Sequence, residues 1–271
     1  MEIASQKFIP ILTFHKVDFS FEWGVTRVTP VQFRRILEFL KQENYETISM
    51  QLLCDPDAHL PQKPIILTFD DSYESVYINA YPLMEEYGFT GTIFIVTGYV
   101  GRMNDWDVNL GGLRFKHMSW DQIRLLRKAG FEIGSHTVHH PDLTLTDTKW
   151  LNFELSHSKN EIQDKIGEEV RFLSFPFGRY NAKIIETCKD VGYQNGCGFW
   201  IHRKEKKSEE KFVLERKAYY LFDYLWNLKA KLSNNWWTPF ENMKLRIVNF
   251  CSHGSSILKS TRILPQYQEE K

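Results

Sequence analysis

Short apolar runs alternate with amphipathic segments along most of this chain, and few folds accept that rhythm. Phe8–Phe14, Glu46–Ser49, Pro64–Phe69, Thr92–Val96, Phe131–Ser135, Phe172–Phe175, Tyr193–Gly198 and Val213–Tyr220 read as strands. Pro64–Phe69 (PIILTF) is apolar throughout, as expected of a strand covered on both faces. Pro30–Gln42 reads as a helix. Thr29 caps it, Pro30 opens it, and Phe33, Ile36, Leu37 and Leu40 recur three and four apart. Further helices are predicted over Tyr73–Tyr87, Ser119–Ala129, Asp147–Ile166 (capped by Thr146) and Asn181–Val191. Pro82 should kink the first of these or split it in two. Gly88, Gly130, Gly167 and Gly192 follow as stops. Strands joined by helices imply parallel pairing. Roughly seven such units suit an α/β barrel better than a doubly wound sheet.

Composition narrows the partners. Lys and Arg together number 34, as do Asp and Glu, so the formal net charge is zero. That argues against nucleic acid, whose binding is dominated by basic residues displacing counterions. The N-terminus carries Glu2 and only a short apolar stretch before His15, which predicts no signal peptide. No run approaches the ~18 apolar residues of a membrane span. A cytoplasmic protein with no integral membrane segment is expected.

Barrel chemistry sits at the C-terminal ends of the strands. His15 follows the first strand, Asp70 and Asp71 the third, His136 and His140 the fifth, and Phe177 and Gly178 the sixth. Two adjacent carboxylates repel unless a cation relieves them; alternatively they cap the helix beginning near Tyr73. His136 and His140 are four apart, so a helical turn or tight loop would bring both rings to one side, with His139 pointing away. Two imidazoles and a carboxylate make an N/O site for Zn²⁺ or a neighbouring divalent metal.

LTFDDS (67–72), IGSHTVHHPDLT (133–144) and SFPFGRYN (174–181) resemble, in this order, the three leading motifs of the polysaccharide deacetylases, carbohydrate esterase family 4. The opening ILTFHKV and the stretch MSWDQIRLLRKAGFEIGSH are similar to the same family, so the resemblance runs from about Phe8 to Leu232. It implies a distorted (β/α) barrel of about seven parallel strands, expected over residues 1–235, with a C-terminal helical extension at 236–271. It also implies one divalent metal, Zn²⁺ first with Co, Ni or Mn as alternatives. The activity implied is hydrolysis of a carbon–nitrogen bond, releasing N-acetyl groups from an aminosugar glycan or a carrier-linked sugar. On the matching positions, Asp70 is the catalytic base, and Asp71, His136 and His140 are the metal ligands. Phe177 and Gly178 form the turn whose backbone N–H meets the oxyanion, unless they are a plain turn.

Two positions depart from the family pattern. Ser72 stands where a Gly is usual, and Ser174 where an Arg often pairs with the catalytic Asp. Arg216 on the last strand is a candidate replacement for that Arg, or else part of a core-edge ion pair. His15 is expected to supply the general acid or a substrate contact, or to be a structural histidine; His253 lies beyond the barrel pattern. Trp106, in a long loop after Thr92–Val96, reads as a lid, a sugar platform or a surface insertion. The extension at 236–271 could pack on the barrel, self-associate or touch a membrane surface peripherally. Two rival functions stay open: an amide hydrolase of the same fold acting on a small molecule, and a degenerate barrel that binds glycans without turnover.

Overall fold

The computed structural model describes residues 8–20, 26–104, 114–199 and 212–233. Trp106, His253 and the extension expected at 236–271 lie outside the described residues. In chain order the elements are β1 (Ile11–Phe14), β2 (Lys16–Val17), β3 (Arg27–Val28), α1 (Pro30–Gln42), β4 (Glu46–Thr47), α2 (Met50–Cys54) and β5 (Pro64–Phe69). There follow α3 (Tyr81–Tyr87), β6 (Thr92–Ile95), α4 (Trp120–Lys128), β7 (Glu132–Ser135), α5 (Thr148–Ile166) and β8 (Phe172–Ser174). The last are α6 (Ala182–Val191), β9 (Asn195–Phe199), β10 (Val213–Ala218) and α7 (Leu225–Leu232).

Seven strands close into a parallel barrel in the order β1, β5, β6, β7, β8, β9, β10. β1 completes the ring, pairing with β5 at Ile11↔Ile66 and with β10 at Leu12↔Lys217. β4 adds to the start of β5, and β2 pairs with β3 as a separate two-stranded piece.

The period-two alternation of the strands sorts their side chains into two cores. Ile11, Ile66, Phe94, Phe172 and Cys197 come from five strands of the ring yet form one buried cluster, so they fill the lumen. Met50 of α2 and Ile48 join them. Gly134 faces this cluster because a Cβ there would meet the Phe94 ring at 2.5 Å. The alternate residues Leu12, Phe14, Leu67, Phe69, Ile93, Ile95 and Leu173 form the larger outer core. Against it pack Phe33, Ile36, Leu37 and Leu40 of α1, Ile123 and Leu126 of α4, Leu155 and Ile162 of α5, and Ile184 and Ile185 of α6.

The helix starts follow local chemistry, with two differences from expectation. The cap of α5 is Asp147, which accepts from the Trp150 N–H at 2.9 Å, rather than Thr146, whose hydroxyl turns back to the Leu143 carbonyl. The segment expected from Tyr73, kinked or split by Pro82, begins only at Val76, as a π-type turn to Ala80, and becomes α-helical at Tyr81, so it is divided in two. Pro82 sits in the first turn of α3, where its missing N–H costs nothing. No helix of the described residues is long and apolar enough to cross a membrane.

Candidate active site

The same alternation that places Ile66 and Thr68 in the lumen carries Asp70 to its upper end. Asp70 is buried, and its backbone N–H bonds the Phe14 carbonyl at 2.9 Å. Leu214 and Arg216 alternate likewise on β10. The Arg216 guanidinium is buried beneath the rim, between the Phe94 and Phe199 rings at 5.3 and 5.5 Å. Its two terminal nitrogens donate to the two Asp70 oxygens at 2.8 Å each. Ser174 completes the cluster, accepting from Arg216 at 2.7 Å and donating to Asp70 at 3.2 Å. Burial is the largest single influence and would raise the Asp70 carboxyl, but the Arg216 charge and hydrogen bonds, together with His136 and His15, outweigh it and bring the group down to about 2. Asp70 is therefore ionised at neutral pH.

Asp71 turns away from the strand direction because its backbone is left-handed, with φ 66°. Its Oδ1 lies 3.5 Å from His136 Nε2 and 3.6 Å from His140 Nε2, and one ligand atom from each of the three lies within 4.8 Å of the others. Neither carboxylate caps the following helix, which starts further along. Ser72 is also left-handed, with φ 53°, so the serine occupies a backbone that favours glycine.

His136 ends its strand with Nδ1 2.7 Å from the Ser174 carbonyl. A carbonyl only accepts, so Nδ1 carries a proton, and in the neutral ring the Nε2 lone pair faces Asp71. A lone pair and a carboxylate oxygen repel at that distance unless a proton or a metal cation lies between them. Ligands ~2.1 Å from a roughly tetrahedral Zn²⁺ are about 3.4 Å apart, close to the spacing found here. Three buried N/O donors with this orientation fit a divalent metal.

The loop bearing the histidines is shaped by backbone strain and one acid. Thr137 and His140 are left-handed, at φ 69° and 55°. Glu154 of α5, almost fully buried, accepts from the Val138 and His139 N–H groups at 2.8 and 2.9 Å and meets His139 Nδ1 at 2.7 Å. His139 thus turns away from the rings beside it. The His140 ring stands 4.9 Å from Phe177, edge to face. Phe177 is itself left-handed, at φ 57°. Gly178 follows at φ 66°, where a Cβ would strike the Phe199 ring at 2.2 Å. A buried Arg179–Asp142 ion pair ties this turn to the histidine loop.

His15 sits at the same end of the barrel, close enough to Asp70, Arg216 and His136 to feel their charges. Burial chiefly, aided by Arg216 and His136 and opposed by Asp70, lowers its pKa to about 4. The ring is thus neutral at neutral pH. Its Nδ1 has no hydrogen-bond partner among the described residues.

Six of the residues singled out by the sequence therefore meet at one rim: Asp70, Asp71, His136, His140, His15 and Arg216. Phe177 and Gly178 border them. Sequence reasoning missed His117 and Glu154, which act on loop backbones and belong to no motif.

Residues 57–196, just over half of the chain, match the family profile described as polysaccharide deacetylase. The chain belongs to the polysaccharide deacetylase family. YxkH of Bacillus subtilis, a protein named for this family, is 26% identical over 191 residues, covering 69% of this chain and 63% of its own length. The poly-β-1,6-N-acetyl-D-glucosamine N-deacetylase of Staphylococcus aureus is 23% identical over 180 residues, covering 62% of this chain and 60% of its own. The chain thus spans less than two thirds of the length of these curated relatives. The Streptococcus pyogenes deacetylase PplD, solved with acetate, shares the fold: TM-score 0.70, 22% identity, 83% of this chain and 98% of that one.

Proposed function

We propose that this chain is a metal-dependent hydrolase that removes N-acetyl groups from an aminosugar glycan or a carrier-linked sugar. The observation that carries this reading is the pairing of a buried Asp71–His136–His140 donor set with a separate carboxylate, Asp70, kept ionised by Arg216. Family membership and the N-deacetylase relatives in Staphylococcus aureus support the reaction class.

Asp71, His136 and His140 would hold the cation. When bound, it would polarise the acetyl carbonyl and acidify a water, which suits a base held as low as Asp70. Asp70 takes a proton from the attacking water, and Arg216 fixes the carboxylate's orientation through both oxygens. A backbone N–H at the Phe177 turn donates to the oxygen that gains charge as the carbonyl becomes tetrahedral. His15 is neutral in the free site, so it serves as acid only after Asp70 has passed it the water's proton. The protonated ring then delivers that proton to the leaving nitrogen. The products are acetate and the free amine.

The test is acetate release from N-acetylated glucosamine oligomers and from acetylated small amides, with the protein reconstituted with Zn²⁺, Co²⁺, Ni²⁺ or Mn²⁺. Turnover of the oligomers with one bound metal is expected. Asp70→Asn should keep the metal and lose turnover ~10²–10⁴-fold, a general base's usual share. Metal uptake without any acetate release would favour a glycan-binding barrel and defeat the reading.

A further inference from the structure

His117 is fully buried, and its Nδ1 lies 2.7 Å from the main-chain carbonyl oxygen of Asp71. Because that oxygen can only accept, Nδ1 carries the proton and donates. The carbonyl belongs to the first of two successive left-handed residues, Asp71 at φ 66° and Ser72 at φ 53°. Such residues are unfavourable for side chains other than glycine and persist only where surrounding contacts impose them.

Those contacts come from a single neighbouring segment. The Met118 N–H donates to the Ser72 carbonyl and the Glu74 N–H to the Lys116 carbonyl, both at 2.8 Å. The His117 ring is fixed in turn, stacked on Tyr73 at 4.8 Å and tilted against Tyr99 at 5.6 Å, while the backbone N–H of His117 donates to the Arg102 carbonyl at 2.8 Å. The segment thus grips the turn on both sides of its strained peptide. The direction of the Asp71 side chain toward His136 and His140 depends on that backbone, since reverting φ to the extended region would swing the carboxylate elsewhere.

We infer that His117 is a positioning residue for the metal site: its Nδ1–H, bonded to the Asp71 carbonyl, holds Asp71 in the left-handed conformation that aims the carboxylate at the two histidines. This rests on the metal reading proposed above. Partners that orient a ligand in this way are typically worth 10–100-fold in metal affinity.

The experiment is a Zn²⁺ titration of the chelator-stripped full chain in competition with a chromophoric chelator, alongside the metal-free melting temperature. His117→Phe keeps the stacking ring and removes the donor. His117→Asn places an amide N–H where Nδ1 stood. Zn²⁺ affinity is expected to fall ~10–100-fold in the Phe variant and to recover in the Asn variant, with the two metal-free proteins melting alike. If the Phe variant does not fold, Leu against Asn at the same position carries the comparison. Wild-type affinity in the donor-free variant, or equal weakening in donor-free and Asn variants, overturns the inference. A wild-type chain that binds no Zn²⁺, indistinguishable from His136→Ala, overturns the metal reading itself and this inference with it.

Discussion

Arg216 and Asp70 are 146 residues apart, yet they meet through two parallel bonds of 2.8 Å inside the barrel. Their strands are not neighbours, since β1 lies between β10 and β5 in the ring. The pair crosses the lumen, and Ser174 on β8 bonds both members. An arginine on the last strand therefore occupies the role of charge partner that Ser174 cannot fill.

Arg216→Met should leave Asp70 as an uncompensated buried carboxylate. Breaking such a pair costs about 3–5 kcal/mol, readable as a lower urea midpoint. With burial then opposed only by His136 and His15, the Asp70 carboxyl rises, so the acid limb of kcat/KM moves to higher pH. Arg216→Lys keeps the charge without the two-pronged geometry and should fall between. An acid limb unchanged in the Met variant would show that Arg216 does not set the protonation of Asp70.

His15 and Asp70 make stability depend on pH in separate windows. His15 is lowered to about 4 from 6.5, so its contribution is complete above about pH 6.5 and disappears as pH falls to 4. Asp70 is lowered to about 2 from 3.8, so its contribution is complete above about pH 4 and is lost on the way down to 2. Urea unfolding of metal-free wild type and His15→Gln at pH 7, 5 and 3 separates them. The stability difference between the two proteins should shrink from pH 7 to pH 5 and change little below pH 4. A difference that stays constant between pH 7 and 4 would contradict the buried neutral imidazole.

Asp70, Asp71, His136 and His140 were legible because each ends a strand, and strand ends of a parallel barrel converge whatever fills the loops. Arg216 was legible only as a candidate for the charge missing at Ser174, one of three successive charged residues on its strand. His117 and Glu154 were not. Each works by bonding main-chain groups of a distant loop, 46 residues away for His117 and its carbonyl partner, and main-chain acceptors and donors look alike at every position. The left-handed backbones at Asp71, Ser72, Thr137, His140 and Phe177 were invisible for the same reason: none is a glycine. The short helix α2, which closes the lower end of the lumen with Met50, has too few residues for a periodic signal.

Glu154 holds the histidine loop through three contacts, two of them to backbone N–H groups. Glu154→Gln keeps one acceptor and turns the other into a donor facing those N–H groups or His139. A loss of about 2–4 kcal/mol is expected, since hydrogen bonds to charged groups are worth ~1.5–3 kcal/mol each and buried donors would be left bare. Zn²⁺ affinity should fall together with stability. Urea midpoints and a metal titration measure both, and a variant as stable as wild type would show that the loop holds its shape unaided.

Ser72 offers the opposite sign. Its backbone sits at φ 53°, which costs a non-glycine residue roughly 1–2 kcal/mol. Its hydroxyl is buried with no hydrogen-bond partner among the described residues, a further penalty that the side chain brings with it. Ser72→Gly removes both, against roughly 0.5–1 kcal/mol for the added freedom of the unfolded chain. The variant should be more stable by about 1 kcal/mol, with an unchanged denaturant m-value. Zn²⁺ affinity should stay at the wild-type level, because the Asp71 carbonyl keeps its bond to His117. A lower urea midpoint in Ser72→Gly would mean that the serine hydroxyl has a partner worth more than the strain it accompanies.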